Sequence, residues 1–560
     1  MQFLLRQSSL FLFTLLNNNC SEVNKMNYLF HYLRKRPGAV GIVIVLTIIA
    51  SALRVTHALI NVNIFNALIK LEFHGFFYWV IIDIAVFAVL SVFLVLMQIQ
   101  MAKTVQLLSL DLRKDIIRQL SGKSIEEFNK QDTGVYASWL TNDVTTIEND
   151  GFYNILQSVQ IITDPLFSMI ALAKFSWTFI PIIALVSFLT VFLPQLIHKR
   201  LASASLSTTK ANEKLLNVIN DSLRGFNTFS IFGVEKQLEA RVTEAALFLL
   251  DKKVKQAKCQ SIANNIAGFS NILGQVGIQA WTGYLALEKI ISIGVIGSSG
   301  NLAYNVFNSL AVIAPIWTEM TALKPIFDKY HLTEKKNYKE EGQDCTENKF
   351  DSLEVINLQK KYQDREVFAH PINLCILKNQ KVGIYGKSGS GKTTFMKIIS
   401  GQIRSYTGEI QLNKVELNRL KYSALQKILL YVEQTPYLFN DTVRYNLTLG
   451  EHFTDNEIID ALKKANLWET ISKLPDGLNT EINENGNNFS GGQKQRLALT
   501  RGLLRKRRLF LLDESTSNLD KKTALKVENT FLGLEDATVI FVSHQLHNEN
   551  KSAFDQIIEI

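Results

Sequence analysis

The chain has 560 residues, enough for two domains. It is 47% hydrophobic and carries a net charge of +9, yet its basic residues are not massed as a patch for nucleic acid; they gather beside apolar stretches, which speaks against a nucleic-acid partner. Cys20, Cys259, Cys345 and Cys375 form no CxxC pair and no framework spacing, so they read as ordinary thiols and not as disulfides or metal ligands.

In chain order, residues 1–25 place Arg6 ahead of a short apolar run, Leu10-Phe-Leu-Phe-Thr-Leu-Leu16. That is the outline of a signal peptide without a small-residue cleavage site. We read 1–25 as a dispensable or non-native extension, because Met26-Asn-Tyr-Leu-Phe-His-Tyr-Leu-Arg-Lys has the form of an amphipathic elbow at a natural start.

Six stretches then meet the roughly 20-residue requirement for crossing a bilayer. They are 39–61, 76–98, 151–173, 175–197, 262–285 and 290–317. The links after the second and fourth, 100–150 and 198–261, are long, charged and helical in pattern; the other three are short. Arg34-Lys-Arg36 before the first span, and Lys252, Lys253, Lys255 and Lys258 before the fifth, place those segments in the cytoplasm by the positive-inside rule. Arg54, His57, Asp83 and Asp164 fall inside spans, where ionisable groups are functional candidates by default. Residues 335–344 are polar and without apolar period, so they join domains. The expected layout is therefore a membrane domain at 26–330, a linker at 331–349 and a second domain at 350–560.

The second domain opens with chemistry. Lys381-Val-Gly-Ile-Tyr385 reads as a buried strand, and Lys392-Thr-Thr-Phe-Met-Lys-Ile-Ile-Ser400 as a helix closed by Gly401. Between them Gly386-Lys387-Ser388-Gly389-Ser390-Gly391-Lys392-Thr393-Thr394 fills the P-loop pattern. Its glycines let backbone N–H groups turn onto phosphates, and the helix that follows aims its positive end at the same anion. Lys392 is then placed for the β- and γ-phosphates of ATP, and Thr393 for Mg²⁺. Further on, Leu509-Phe-Leu-Leu-Asp-Glu514 is an apolar strand ending in two carboxylates, as a Walker B strand does. Asp513 is placed to hold Mg²⁺ and Glu514 to polarise the attacking water.

Ser490-Gly491-Gly492-Gln493, just upstream of that strand, resembles the signature motif of ABC transporters. The other stations of the family follow in order. Tyr362 matches the aromatic that stacks on adenine, though it also reads as a plain surface strand aromatic; Gln434 matches the Q-loop; Glu484-Asn-Gly486 resembles the X-loop of exporters. Ser517-Asn-Leu-Asp520 matches the D-loop and His544 the switch histidine. Phe489 stands where the family usually has Leu, which implies altered packing and retained hydrolysis. In the first long link, Leu112-Arg113 through Phe128, Gly134 and Thr141-Asn-Asp143 resembles the family's first intracellular loop. The second link, from Asp221-Ser-Leu-Arg-Gly225 through Phe232 and Glu235, resembles the second.

The resemblance implies an exporter-type half-transporter: an α-helical six-span membrane domain followed by an α/β P-loop ATPase domain. It implies catalytic roles for Glu514, His544 and Gln434, with Gln434 also touching Mg²⁺. It implies ATP held by the cradle of one chain and the signature of a second. Because Glu514, His544 and the signature are all intact, a homodimer is expected, with a similar but distinct second half as the alternative. The expected activity is ATP-driven export of a lipophilic or amphipathic compound, drug or peptide across the cytoplasmic membrane. An importer on the same fold and a soluble ABC ATPase are the competing readings.

Overall fold

The computed structural model describes residues 27–330, 342–344, 349–362, 365–387, 389–483, 486, 488–514, 516, 521–543 and 548–560. The chain divides into two compact units, Met1–Ser121 with Asp132–Lys335, and Gly122–Gln131 with Lys336–Ile560.

The first unit is helical. A short α1 (Asn27–Lys35) precedes α2 (Pro37–Ile69) and α3 (Phe73–Ser121). Pro37 stands at the first turn of α2, where its missing N–H costs nothing. After α3 the backbone passes through two π-helical stretches, Trp139–Asp143 and Ile147–Tyr153, into α4 (Asn154–Phe175). Then come α5 (Phe179–Arg224), α6 (Glu235–Leu287), α7 (Ile296–Ala322) and α8 (Lys324–Lys329). Six of these helices are 22 residues or longer. Three of them, α3, α5 and α6, run on without a break through much of what the sequence presents as charged links.

Among the described residues, Pro37–Ile69, Phe73–Ser121, Thr133–Phe175 and Ile293–Lys329 are long and apolar enough to cross a membrane. The fourth and fifth expected spans fall on α5 and α6. Of α5 only Phe179–Phe188 registers as an apolar stretch among the described residues. Along α6 the apolar run is broken by Asn264, Asn265, Asn271, Gln275 and Gln279. The helices meet in one apolar cluster that takes Val55 and Ala58 from α2, Leu172 from α4 and Phe179 and Ile183 from α5. Ile278 of α6 and Leu302, Val306 and Phe307 of α7 complete it. Outward-facing Phe77, Ile81, Ile84, Phe87, Val92 and Val95 of α3 stay exposed, as they would for contact with lipid.

The ionisable residues inside the spans pair with one another. Arg54 forms an ion pair with Asp164 of α4, and His57 Nδ1 lies 2.7 Å from Asp83 Oδ1 of α3. Gln160 Nε2 donates to Asp164 Oδ2 at 3.2 Å, and Ser51 and Thr163 hydroxyls meet at 2.9 Å. The amphipathic elbow is present as α1. It is fastened by Lys35 to Asp115 at 2.6 Å, by the Arg36 guanidinium to both oxygens of Asp111, and by Tyr28 Oη to the Met320 carbonyl at 3.0 Å.

The second unit is α/β. Its strands are β1 (Ser352–Gln359), β2 (Lys361–Tyr362), β3 (Arg365–Glu366), β4 (Ile372–Leu377), β5 (Lys381–Tyr385), β6 (Thr407–Leu412), β7 (Val415–Glu416), β8 (Leu429–Val432), β9 (Leu509–Asp513), β10 (Thr538–Ser543) and β11 (Gln556–Glu559). An antiparallel sheet runs β4-β1-β6-β7, and a parallel sheet runs β11-β5-β10-β9-β8. Every residue of β9 and β10 is buried, as expected of parallel strands covered on both faces. Side-chain alternation sorts them: Leu509, Leu511, Ile540 and Val542 pack into one core, Phe510, Leu512, Val539 and Phe541 into another. A third core, with Leu438, Val443, Ile458, Leu462 and Leu497, surrounds a helix introduced below, α10.

Candidate active site

In a parallel sheet, ligands collect at the carboxyl ends of the strands. Strands β5, β9 and β10 end there on Tyr385, Asp513 and Ser543. Tyr385 leads through the P-loop into helix α9 (Lys392–Ile399). Gly391 caps that helix at φ +95°, a left-handed conformation, and a Cβ there would lie 2.8 Å from Phe368 and Val367 side chains. Only glycine meets both demands. The Ser390 Oγ atom is buried and has no hydrogen-bond partner among the described residues, as suits a group aimed at a phosphate. Buried Lys392 donates from Nζ to the Gly386 and Lys387 carbonyls, each at 2.9 Å, and stands 3.9 Å from Glu514 Oε1.

Asp513 closes the site from the sheet. Its Oδ1 accepts from the Thr393 hydroxyl at 3.2 Å, and its Oδ2 from the Tyr431 hydroxyl at 2.8 Å. The next residue, Glu514, sits at φ +47°, while its N–H donates to the Val542 carbonyl at 2.9 Å. A non-glycine residue held there stores of order 1 kcal/mol, which the sheet on either side sustains. Thr393 and Asp513 offer hard oxygens beside the phosphate loop, and this donor set fits Mg²⁺. Burial and then the charge of Asp513 push the Tyr431 phenol above its ordinary value.

The signature opens α10 (Gly491–Leu504). Ser490 caps it, and Ser490 and Gln493 form a capping box: Ser490 N donates to Gln493 Oε1 at 2.8 Å, Gln493 N to Ser490 Oγ at 3.4 Å. Gly491 and Gly492 are its first two residues, so the backbone N–H groups of this turn point outward. Phe489 is buried in the core around α10. Helix α10 also holds the Q-loop. Gln495 Nε2 donates to the Gln434 carbonyl at 2.7 Å, and Arg501 Nη1 to the Tyr437 carbonyl at 2.9 Å. Burial and neighbouring Arg505 bring the Arg501 guanidinium down to about 10.

Gln434 itself is exposed at a bend just after β8. Tyr362 lies at the end of the β2–β3 hairpin. The Tyr362 side chain, Ser388, Glu484, Asn485, 517–520 and His544 lie outside the described residues. The structure thus gathers Lys392, Thr393, Asp513 and Glu514 into one site. It adds Tyr431, Gln495 and Arg501, which motif reading passed over.

Two family descriptions match the chain: "ABC transporter transmembrane region" over residues 40–310 and "ABC transporter" over 369–517. The chain is an ABC transporter, an exporter-type half-transporter with membrane and ATPase domains fused. The exporter is 26% identical over 456 residues to the ATP-dependent lipid A-core flippase of Francisella tularensis subsp. holarctica (strain OSU18), a match spanning 78% of this chain and 73% of that one. It is 29% identical over 347 residues to the Pediocin PA-1 transport/processing ATP-binding protein PedD of Pediococcus acidilactici, spanning 61% and 48%. Its fold resembles that of a bacterial Atm1-family ABC exporter with ATP bound, with a TM-score of 0.75, 21% identity and coverage of 93% and 94%. The exporter is therefore a multi-pass membrane protein whose ATPase domain lies in the cytoplasm and hydrolyses ATP to drive transport.

Proposed function

We propose that this exporter is a homodimer that moves a lipophilic or amphipathic compound, drug or peptide outward across the cytoplasmic membrane. The observation that carries the ATP chemistry is the convergence of Lys392, Thr393, Asp513 and Glu514 on one loop. Lys392 leaves its two carbonyl partners and takes the β- and γ-phosphates. Thr393 and Asp513 hold Mg²⁺, which when bound neutralises charge on the transferred phosphoryl oxygens. Glu514 accepts the proton of the attacking water, and Gln434 and His544 orient it. Tyr362 stacks on adenine, and Ser490, Gly491, Gly492 and Gln493 of the second chain receive the γ-phosphate.

The substrate class rests on two supports. The relatives are named as a lipid A-core flippase and as a Pediocin PA-1 transport/processing protein, which fits export of a lipid or a peptide. The spans also hold their charges as internal pairs, which leaves mostly apolar and amide side chains to line a path. ATP closure would draw the two ATPase domains together and tip the spans outward, with hydrolysis resetting the cycle. Reconstituted protein should show ATPase activity stimulated by one member of an amphipathic compound panel. A panel of lipids and hydrophobic peptides that leaves the rate flat would refute the substrate class.

A further inference from the structure

We propose that Tyr431 is a positioning residue for the divalent cation of the hydrolysis site. Its hydroxyl fixes the plane of the Asp513 carboxylate, so that the other oxygen is presented, with Thr393, to the metal. The inference rests on the Mg²⁺ reading above.

The strand register places it. β8 and β9 are parallel, with Tyr431 opposite Leu511. Side chains alternate along a strand, so Asp513, two residues on, shares that face. A diagonal neighbour two residues along is too far for a short side chain and within reach of an aromatic one. The tyrosine ring spans that step, and its hydroxyl arrives 2.8 Å from Asp513 Oδ2. The ring itself packs against the core that includes Leu509 and Leu511, so the hydroxyl has little freedom to wander.

The carboxylate needs such a partner. Rotation about the last bond of an aspartate is broad and weakly restrained. Asp513 is 3% exposed, so water does little to satisfy it. With Thr393 on Oδ1 at 3.2 Å and Tyr431 on Oδ2 at 2.8 Å, both oxygens are engaged from opposite sides and the plane is set. Mg²⁺ tolerates little departure from octahedral geometry and takes few protein ligands, so the orientation of one carboxylate weighs heavily. Partners that hold a metal ligand in place are commonly worth 10–100-fold in affinity. Tyr431 also lies three residues before Gln434, so one strand end positions the carboxylate and launches the Q-loop.

The test uses the full chain in lipid nanodiscs, with Mn²⁺ as an EPR-visible probe and adenylyl imidodiphosphate as a non-hydrolysable nucleotide. Tyr431→Phe should raise the Mn²⁺ dissociation constant about tenfold. Nucleotide binding in EDTA and the melting temperature in EDTA should match wild type. An unchanged Mn²⁺ constant overturns the proposal. So does an equal loss of nucleotide binding in EDTA, which would mark Tyr431 as structural only. Should Tyr431→Phe fail to fold, Tyr431→Met removes the hydroxyl and keeps an apolar side chain that adapts to the core. An Mn²⁺ dissociation constant raised about tenfold then supports the assignment. An unchanged constant overturns it. If wild type binds nucleotide but no Mn²⁺, the Mg²⁺ reading itself falls; if wild type binds Mn²⁺ and Tyr431→Phe does so equally, only the role of Tyr431 falls.

Discussion

The ATPase unit and the membrane unit treat charge in opposite ways. In the ATPase unit, Lys392, Asp513 and Glu514 are brought together at the end of a parallel sheet whose strands β9 and β10 are buried throughout. Their charges are gathered for use on a ligand. In the membrane unit, Arg54 and Asp164, and His57 and Asp83, are spent on each other between helices. There the charges hold the bundle together. Ionisable side chains thus serve chemistry in one unit and helix–helix pairing in the other.

This contrast makes graded predictions. The largest effect is expected from Glu514→Gln, which keeps shape and removes the base. Hydrolysis should fall by at least about 10²-fold, the usual worth of general base catalysis, while ATP binding survives. Steady-state ATPase assays and a nucleotide-binding titration on the same preparation separate the two; wild-type turnover would remove Glu514 from its role.

Next comes the membrane pair. Arg54→Met alone leaves the Asp164 carboxylate, whose Oδ1 atom lacks a hydrogen-bond partner among the described residues, without its counter-charge. We expect a loss of about 3 kcal/mol from this single change, and most of it regained in Arg54→Met with Asp164→Leu. Thermal unfolding in detergent would show this. Equal losses in the single and double variants would mean that Arg54 and Asp164 do more than pair.

Ser490→Ala should be milder for stability. It deletes one arm of the capping box on α10, costing about 1 kcal/mol. Phe489→Leu should be mildest, at about 1 kcal/mol or less with hydrolysis unchanged, since it swaps one buried apolar group for another. Chemical denaturation and ATPase rate, read side by side, order the two. A greater loss of turnover in Phe489→Leu than in Ser490→Ala would reverse the account of α10.

The two units also differ in how far the sequence reveals them. A phosphate site demands glycine at Gly391 and charge at Lys392 and Asp513, so its elements were legible: β5, α9, β9 and α10 lie where the motifs place them. Tyr431 is not, because in Tyr431-Val-Glu-Gln434 only the glutamine belongs to a motif. The clue was available in the alternation of β8 and β9, but strand pairing has to be known before a diagonal neighbour can be named. In the membrane unit the six apolar stretches fall on six long helices, α2 to α7. Their lengths are less legible, since α6 runs 53 residues and carries asparagine and glutamine through the stretch where a span is expected. The π-helical turns before α4 are not legible in the sequence, because stretches of 5 and 7 residues are too short to set an apolar period of their own. The pairing of Arg54 with Asp164 and His57 with Asp83 was equally hidden, because it depends on which helices are neighbours.

Outward movement through the membrane unit, driven by ATP hydrolysis at Lys392, Asp513 and Glu514, is open to direct test. Inside-out membrane vesicles carrying the protein, given Mg-ATP and a labelled amphipathic substrate that stimulates its ATPase, test it most directly. Wild-type vesicles should accumulate the substrate and Lys392→Ala vesicles should not. Accumulation only in right-side-out vesicles loaded with ATP, or equal accumulation with Lys392→Ala, would contradict it.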